Sequence, residues 1–237
     1  MCLRVPHRAW VYVRIPLLAV LGPTNVTMSL FAAEARQSLG AGAWLLRGCA
    51  AAQAAELFAD IAAVIAVAPL RHMITAGGQR MSVAMTNCGA LGWVSDRSGY
   101  RYVACDPVSG RPWPPLPAAF LRLARTAALD AGFDHFVPDV GLINCYHPGT
   151  RLSLHQDKDE RDFSQPIVSV SFGIPAVFLF GGSRRRDPTV RVGLTHGDVV
   201  VWGGPARLYY HGVSELAADR HPVVGPCRFN LTLRKAA

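Results

Sequence analysis

From Asp139 to the C-terminus the chain is a succession of short apolar runs, VGLINCY, RLSLH, IVSVSF, AVFLF, VVVW, RLYYH and CRFNLTLR, separated by turn residues. Runs this short do not make helices of ordinary length, whereas side chains alternating with period two build half-buried strands. Many short strands with frequent turns imply a double-sheet jelly roll or a barrel. GIPA (Gly173–Ala176) and HGD (His196–Asp198) are expected as hairpin connections. The 22 glycines and 17 prolines supply the turns, and with 51% hydrophobic residues the 237-residue chain can fill a sizeable core.

Ahead of the strands, two segments have helical spacing. Leu57, Ile61, Val64 and Ile65 recur within the Ala-rich stretch Ala50 to Leu70, which Pro69 helps to end. After the prolines of 112–117, Phe120, Leu123, Ala124 and Ala127 share a face, Arg122 and Arg125 lie near the other, and Gly132 stops the helix. Both helices are expected to buttress one sheet from outside. Residues 1–27 hold Arg4, Arg8 and Arg14, no acid, and a short apolar stretch interrupted by Pro16. That is shorter than the roughly 20 residues a membrane span needs. The segment is expected to be a dispensable extension, with Met28 opening a single folded domain over residues 28–237. The six cysteines are scattered singly, which suits reduced thiols in the cytoplasm and excludes a zinc ribbon or a disulfide scaffold. A formal charge of +8 suits a polyanionic partner, nucleic acid being the commonest.

The chemistry concentrates in LSLHQDKDE, Leu152 to Glu160. If this stretch is extended, His155, Asp157 and Asp159 share one face, and an imidazole with a carboxylate two residues away can reach one ion. A solvated loop after a strand gives the same pattern. His211, closing RLYYH, is a candidate third ligand from a strand facing His155 across the interior. In CRFNLTLR, alternation puts Arg228, Asn230, Thr232 and Arg234 on one face. Such a row is either the wet face of a half-buried strand or a pair of guanidinium forks able to grip a dicarboxylate, which lysines could not imitate. The same alternation gives Asn144 and Tyr146 one face and turns Cys145 away.

H-x-D, a later His and R-x-N-x-x-x-R resemble the iron(II)/2-oxoglutarate dioxygenase superfamily. Within it, MSVAMTNCGALGW, LSLHQDKDE, IVSVSFGIPAVFLFGG, HGDVVVWGG and CRFNLTLR resemble the AlkB family of bacterial DNA repair dioxygenases along nearly the whole chain from Met28. The resemblance implies an α+β fold: a double-stranded β-helix, or jelly roll, at about 139–234, with buttressing helices and a nucleotide-recognition lid at about 70–115. It implies Fe(II) on His155, Asp157 and His211, with 2-oxoglutarate and O2 as cosubstrates. Asn144, Tyr146, Arg228, Asn230 and Arg234 would hold the 2-oxoglutarate. Trp93 resembles the aromatic that stacks on a damaged base, Tyr100 a nearby substrate contact, and Asp159 the acid facing the exocyclic amine. Thr75, Met81 and Met85 match positions around the nucleotide groove, and Arg185 matches a contact to the strand. Met81 and Met85 at a four-residue spacing also suit a core, and Arg184 to Arg186 a solvated loop.

The implied activity is oxidative demethylation of 1-methyladenine and 3-methylcytosine, preferably in single-stranded DNA, by a monomer with no membrane partner. The alternatives are the same chemistry on RNA and a non-catalytic nucleic-acid-binding jelly roll. Two departures stand out. Residues 1–27 have no counterpart, and Cys145 stands where relatives tend to carry Arg, on a face expected to leave the cosubstrate pocket intact.

Overall fold

Alternation in the apolar runs is realised as facing antiparallel sheets in a computed structural model that describes residues 35–237. The larger sheet has eight strands, in the spatial order β1 (Arg36–Gly40), β2 (Ala43–Leu46), β12 (Val199–Trp202), β9 (Ile167–Gly173), β14 (Arg228–Arg234), β7 (Val140–Tyr146), β4 (Arg80–Gly89) and β3 (Arg71–Ile74). The smaller sheet has four, β11 (Val190–Leu194), β10 (Ala176–Phe180), β13 (His211–Val213) and β8 (Leu152–His155). A separate two-stranded ribbon joins β5 (Gly92–Asp96) to β6 (Gly99–Val103). Together the two sheets form the jelly roll of an α+β protein. The expectation for residues 1–27 lies outside the described residues.

Side-chain alternation gives the large sheet two different faces. Val168, Val170 and Phe172 of β9 and Phe229, Leu231 and Leu233 of β14 pack outward against α1 (Ala54–Val67) and α2 (Ala118–Asp130). Leu57, Ile61 and Val64 of α1, and Phe120, Leu123 and Ala127 of α2, meet them in one buried cluster. Each fully buried large aliphatic or aromatic side chain contributes about 1.5–3 kcal/mol. Both helices end as their sequences dictate. Ala68 is extended before Pro69, because proline disfavours a helical predecessor. Gly132 takes φ +87, and the Gly132 and Phe133 amides donate to the carbonyls of Leu129 and Ala128, the paired bonds of a Schellman cap. Between the helices Arg122 meets Glu56 at 2.6 Å, an exposed pair worth about 0–1 kcal/mol.

The inner face of the large sheet looks toward the small one. Tyr146, Ile167, Val200 and Trp202 pack there with Phe178, Phe180, Val192 and Val213. Several expectations change at this level. GIPA and HGD are not hairpins: each carries the chain from one sheet to the other, β9 to β10 and β11 to β12. Gly and Pro punctuate both kinds of connection alike, so turn residues alone do not say to which sheet the next strand returns. RLYYH is a strand only from His211; the preceding residues form a 3-10 turn, Gly204–Ala206, and an irregular stretch tied back by the Tyr209 amide to Ala206. Within 70–115, β3 and β4 belong to the large sheet, and β5 and β6 alone stand apart as a ribbon.

The crossing at Gly173 is sterically exacting. Its φ is +93, its partner across the sheet is Arg228, and a Cβ there would collide with the Cys227 carbonyl oxygen. Gly173→Ala should therefore destabilise the protein by about 2–4 kcal/mol, measured from the urea unfolding midpoint. A loss below about 1 kcal/mol would show that the crossing relaxes freely.

Candidate metal and cosubstrate site

Strand β8 ends at His155, and directly across the ladder from it stands His211, the first residue of β13. The two imidazoles are therefore neighbours in one sheet. The expectation that His211 faces His155 across the interior is corrected, because β13 inserts beside β8 in the small sheet. Their ring centroids are 4.4 Å apart. His155 Nδ1 donates to the Ser153 carbonyl at 2.9 Å and His211 Nδ1 to the Tyr209 carbonyl at 3.0 Å. A carbonyl can only accept, so each ring donates from Nδ1, which leaves Nε2 as the atom able to ligate a metal.

Both Nε2 atoms lie close to Asp157. Its Oδ1 lies 3.6 Å from His155 Nε2 and its Oδ2 lies 3.5 Å from His211 Nε2. One ligand atom from each residue falls within 4.8 Å of the others, and among the described residues this is the group of acidic, Cys or His side chains that could hold a metal ion. Residues 156–159 are not strand, so strict alternation stops at His155, yet Asp157 and Asp159 both line the same cavity. Withdrawal from solvent, then the neighbouring His211, push the His155 pKa down to about 4, keeping the ring neutral. Burial opposes ionisation of Asp157, but the Arg234 guanidinium and then His211 hold its carboxyl well below the usual range.

On the facing sheet, every residue of β14 is buried, so the polar row is not a wet face. Arg228 lies across from Tyr146, and Asn230 across from Asn144. Arg234 Nη2 donates to Asp157 Oδ2 at 2.7 Å. Asn230 is held within the sheet, donating to Ser169 Oγ and the Val170 carbonyl and accepting from Asn144 and Thr232. Arg228 differs from all of these. It is 2% exposed, donates to Ser171 Oγ at 2.9 Å and sits 4.9 Å over the Tyr146 ring, but its Nε and Nη1 have no partner. No carboxylate among the described residues pairs with it. A buried guanidinium with idle donors fits an anion entering from the cavity. Arg234 also keeps an unpartnered Nε. The donor set beside it, two imidazoles and one carboxylate, fits Fe(II) with open coordination positions.

A cavity of ≈ 700 Å³ joins these groups to a mouth lined by Thr75, Met81, Met85, Trp93, Tyr100, Asp159 and Arg185. Trp93 and Tyr100 of the ribbon stack at 5.6 Å with rings 11° apart. Trp93 Nε1 donates to Asp159 Oδ2 at 2.8 Å, and neither Lys158 nor Arg161 pairs with that carboxylate. Met85 is buried while Met81 is partly exposed, so the pair serves both core and cavity wall. Arg184, Arg185 and Arg186 are exposed, with Arg185 5.9 Å from the Tyr210 ring. Cys145 belongs to the helix-side cluster, away from the cavity.

Sequence reading passed over several contributors. Trp202, its ring centroid 4.8 Å from that of His211, and Phe178 at 6.0 Å form an apolar wall beside His211. Ser169 and Ser171 hold Asn230 and Arg228. Period two in IVSVSF was a usable signal, since it points both serines to the face opposite Val168, Val170 and Phe172. Arg80, Arg151 and Lys158 add positive charge to the cavity lining.

Residues 42–234 match the model of the 2OG-Fe(II) oxygenase superfamily. The chain is 55% identical over 212 residues to the alpha-ketoglutarate-dependent dioxygenase AlkB of Salmonella typhimurium strain LT2, covering 89% of this chain and 98% of that one. It is 54% identical over 201 residues to the protein of the same name from Escherichia coli strain K12, covering 85% and 93%. The solved structure of OsALKBH1 superposes with a TM-score of 0.73 at 28% identity, over 84% of this chain and 99% of that one.

Removing a ligand should show in metal binding directly. His155→Ala and Asp157→Asn should each weaken Co(II) binding, followed by visible absorption, by at least about 100-fold while the circular dichroism spectrum is kept. Affinity within tenfold of the unaltered protein would take that residue out of the metal site.

Proposed function

Since the chain belongs to the 2OG-Fe(II) oxygenase superfamily and is an iron- and 2-oxoglutarate-dependent dioxygenase, we propose that it demethylates N-alkylated bases in DNA, 1-methyladenine and 3-methylcytosine, preferably in single strands. The observation that carries this reading is the stacked Trp93–Tyr100 pair with Asp159 at the mouth of a cavity whose floor holds His155, Asp157 and His211. An aromatic face with a carboxylate at its edge suits a planar cation. Methylated at these ring nitrogens, adenine and cytosine are cationic and keep an exocyclic amine.

Bound iron with 2-oxoglutarate supplies O2-driven hydroxylation of an N-methyl group, and the resulting hemiaminal decays to formaldehyde and the restored base. His155, Asp157 and His211 would hold the metal. Arg228 is the residue suited to the remote carboxylate of 2-oxoglutarate, because its Nε and Nη1 are free while Arg234 already serves Asp157. Asn144 and Tyr146, beside Arg228 and Asn230 in register, would complete that end of the pocket. The methyl lies on the pairing edge, so the base must leave any stack to reach the floor. Trp93 would receive it, with a stacking contribution of about 1–3 kcal/mol. Thr75, Met81 and Met85 would bound the groove, while Arg185 and its neighbours would meet phosphates without reading sequence.

A binding module without turnover would have no use for the complete ligand set beside an unpartnered buried arginine. One chain supplies the whole lining, so a monomer would suffice for the reaction. Among the described residues no helix is long and apolar enough to cross a membrane; the scattered single cysteines suit the cytoplasm. The direct test is formaldehyde release from a methylated oligonucleotide. It should require both Fe(II) and 2-oxoglutarate, and release without either would overturn the proposal.

Two substitutions probe the two ends of the cavity. Arg228→Lys replaces a planar fork by a point charge, so the KM for 2-oxoglutarate should rise about 10–100-fold with oligonucleotide affinity unchanged. An unchanged cosubstrate titration would place the anion elsewhere. Asp159→Ala should slow repair of 1-methyladenine and 3-methylcytosine about tenfold or more, and repair of neutral 3-methylthymine much less. Equal losses on all three lesions, in otherwise identical oligonucleotides, would limit Asp159 to holding Trp93.

A further inference from the structure

Glu160 is the last residue of the LSLHQDKDE stretch, and its side chain is 1% exposed. Burying a carboxylate this deeply demands strong partners, and Glu160 has three. Oε2 accepts from Arg207 Nη2 at 3.0 Å, and Oε1 accepts from the Tyr102 hydroxyl at 2.6 Å and lies 3.7 Å from Arg234 Nη1. The two arginines it neutralises are those that fix Asp157. Arg207 Nη1 donates to the Asp157 backbone carbonyl at 2.7 Å, and Arg234 Nη2 to its Oδ2 at 2.7 Å.

The third partner comes from the ribbon. Tyr102 lies across the ribbon from Trp93, and residues two apart share a face, so Trp93, Tyr100 and Tyr102 project the same way. The Tyr102 hydroxyl donates to Glu160 and accepts from Arg234 Nη1 at 3.2 Å. The ribbon is tied to the large sheet, where Asn87 clamps the Trp93 backbone through two 3.0 Å bonds and Ser95 Oγ donates to the Ile74 carbonyl, and to Trp113, whose Nε1 donates to the Val103 carbonyl at 3.0 Å. The segment 157–160 thus meets the ribbon twice, at Asp159 with Trp93 and at Glu160 with Tyr102.

We propose that Glu160 is a positioning residue that makes the seating of the aromatic ribbon and the orientation of Asp157 one linked arrangement, with Tyr102 as the ribbon's contact. This rests on the reading of Asp157 as a metal ligand. Displacing the ribbon withdraws a hydroxyl that Glu160 and Arg234 share. Arg234 then loses the contact that aims its other nitrogen at Asp157. The same path runs in reverse: an Asp157 fixed by metal holds Arg234, and through it Tyr102, so that Trp93 and Tyr100 stand ready for a base.

Tyr102→Phe removes the shared hydroxyl while keeping the ring. In the full chain without nucleic acid, it should weaken Co(II) binding about tenfold and shift the visible Co(II) absorption bands, which report ligand geometry. Glu160→Gln should do the same by about 10–100-fold. The double variant should be no worse than Glu160→Gln alone, because both act on one path. A Co(II) spectrum and affinity in Tyr102→Phe indistinguishable from the unaltered protein would overturn the proposal, as would additive losses in the double variant. If Glu160→Gln does not fold, Tyr102→Phe decides alone. His155→Ala, run alongside, separates the two readings. Retained Co(II) binding there defeats the metal assignment, whereas its loss beside an unaffected Tyr102→Phe defeats only the linkage.

Discussion

Burying Arg228 and Arg234 on the inner face of the central strand β14 requires compensation nearby, because an unpaired guanidinium in a dry interior costs several kcal/mol. Arg234 finds it within the protein, against Asp157 and the Tyr102–Glu160 pair. Arg228 has a hydroxyl and an aromatic ring but no carboxylate among the described residues. The first arginine orients the Asp157 carboxylate, and the second leaves the cavity with an unanswered positive charge. That difference, between residues six positions apart on one strand, separates an arginine spent on the protein's own carboxylates from one left for an incoming anion.

The strand can carry both charges because its opposite face is devoted to packing. Phe229, Leu231 and Leu233 lock into the layer formed by α1 and α2, while β7 and β9 hydrogen-bond to it on either side. Apolar burial on the helix side stabilises the sheet enough to tolerate polar groups on the other. The small sheet then needs only to bring His155 and His211 side by side, with Phe178 and Trp202 beside His211. A rigid sheet on one wall and a histidine ladder on the other hold the site without loops in the ligand set, apart from Asp157.

The mouth is built differently. Its aromatic pair lies on a ribbon outside both sheets, tied at its base by Asn87 and toward the floor by Asp159 and Glu160. Such a ribbon, with few ladder partners, shifts more readily than strands inside either sheet. Arg80, Arg151, Lys158 and Arg185 surround the opening with positive charge. Charge of this kind attracts a polyanion with an affinity that weakens as salt rises.

What the sequence determined by itself is what depends on neighbours along the chain. Period two along β14 assigned the arginines and the leucines to opposite faces, 3.6-residue spacing located both helices, and Gly132 with Pro69 marked their ends. Spacing offered His155, Asp157 and His211 as candidates, and the family resemblance named them as ligands together with Thr75, Met81, Met85, Trp93, Tyr100, Asp159 and Arg185, but not Arg80, Arg151 or Lys158. Tertiary structure decided what depends on where strands return. It made GIPA and HGD crossings between sheets, placed His211 beside His155, and gathered Tyr102, Glu160 and Arg207 around Asp157 from positions up to 105 residues apart. Turn residues fix that a chain reverses, not the sheet to which it returns, and a buried charge finds its partner only through the packing that excludes water from both.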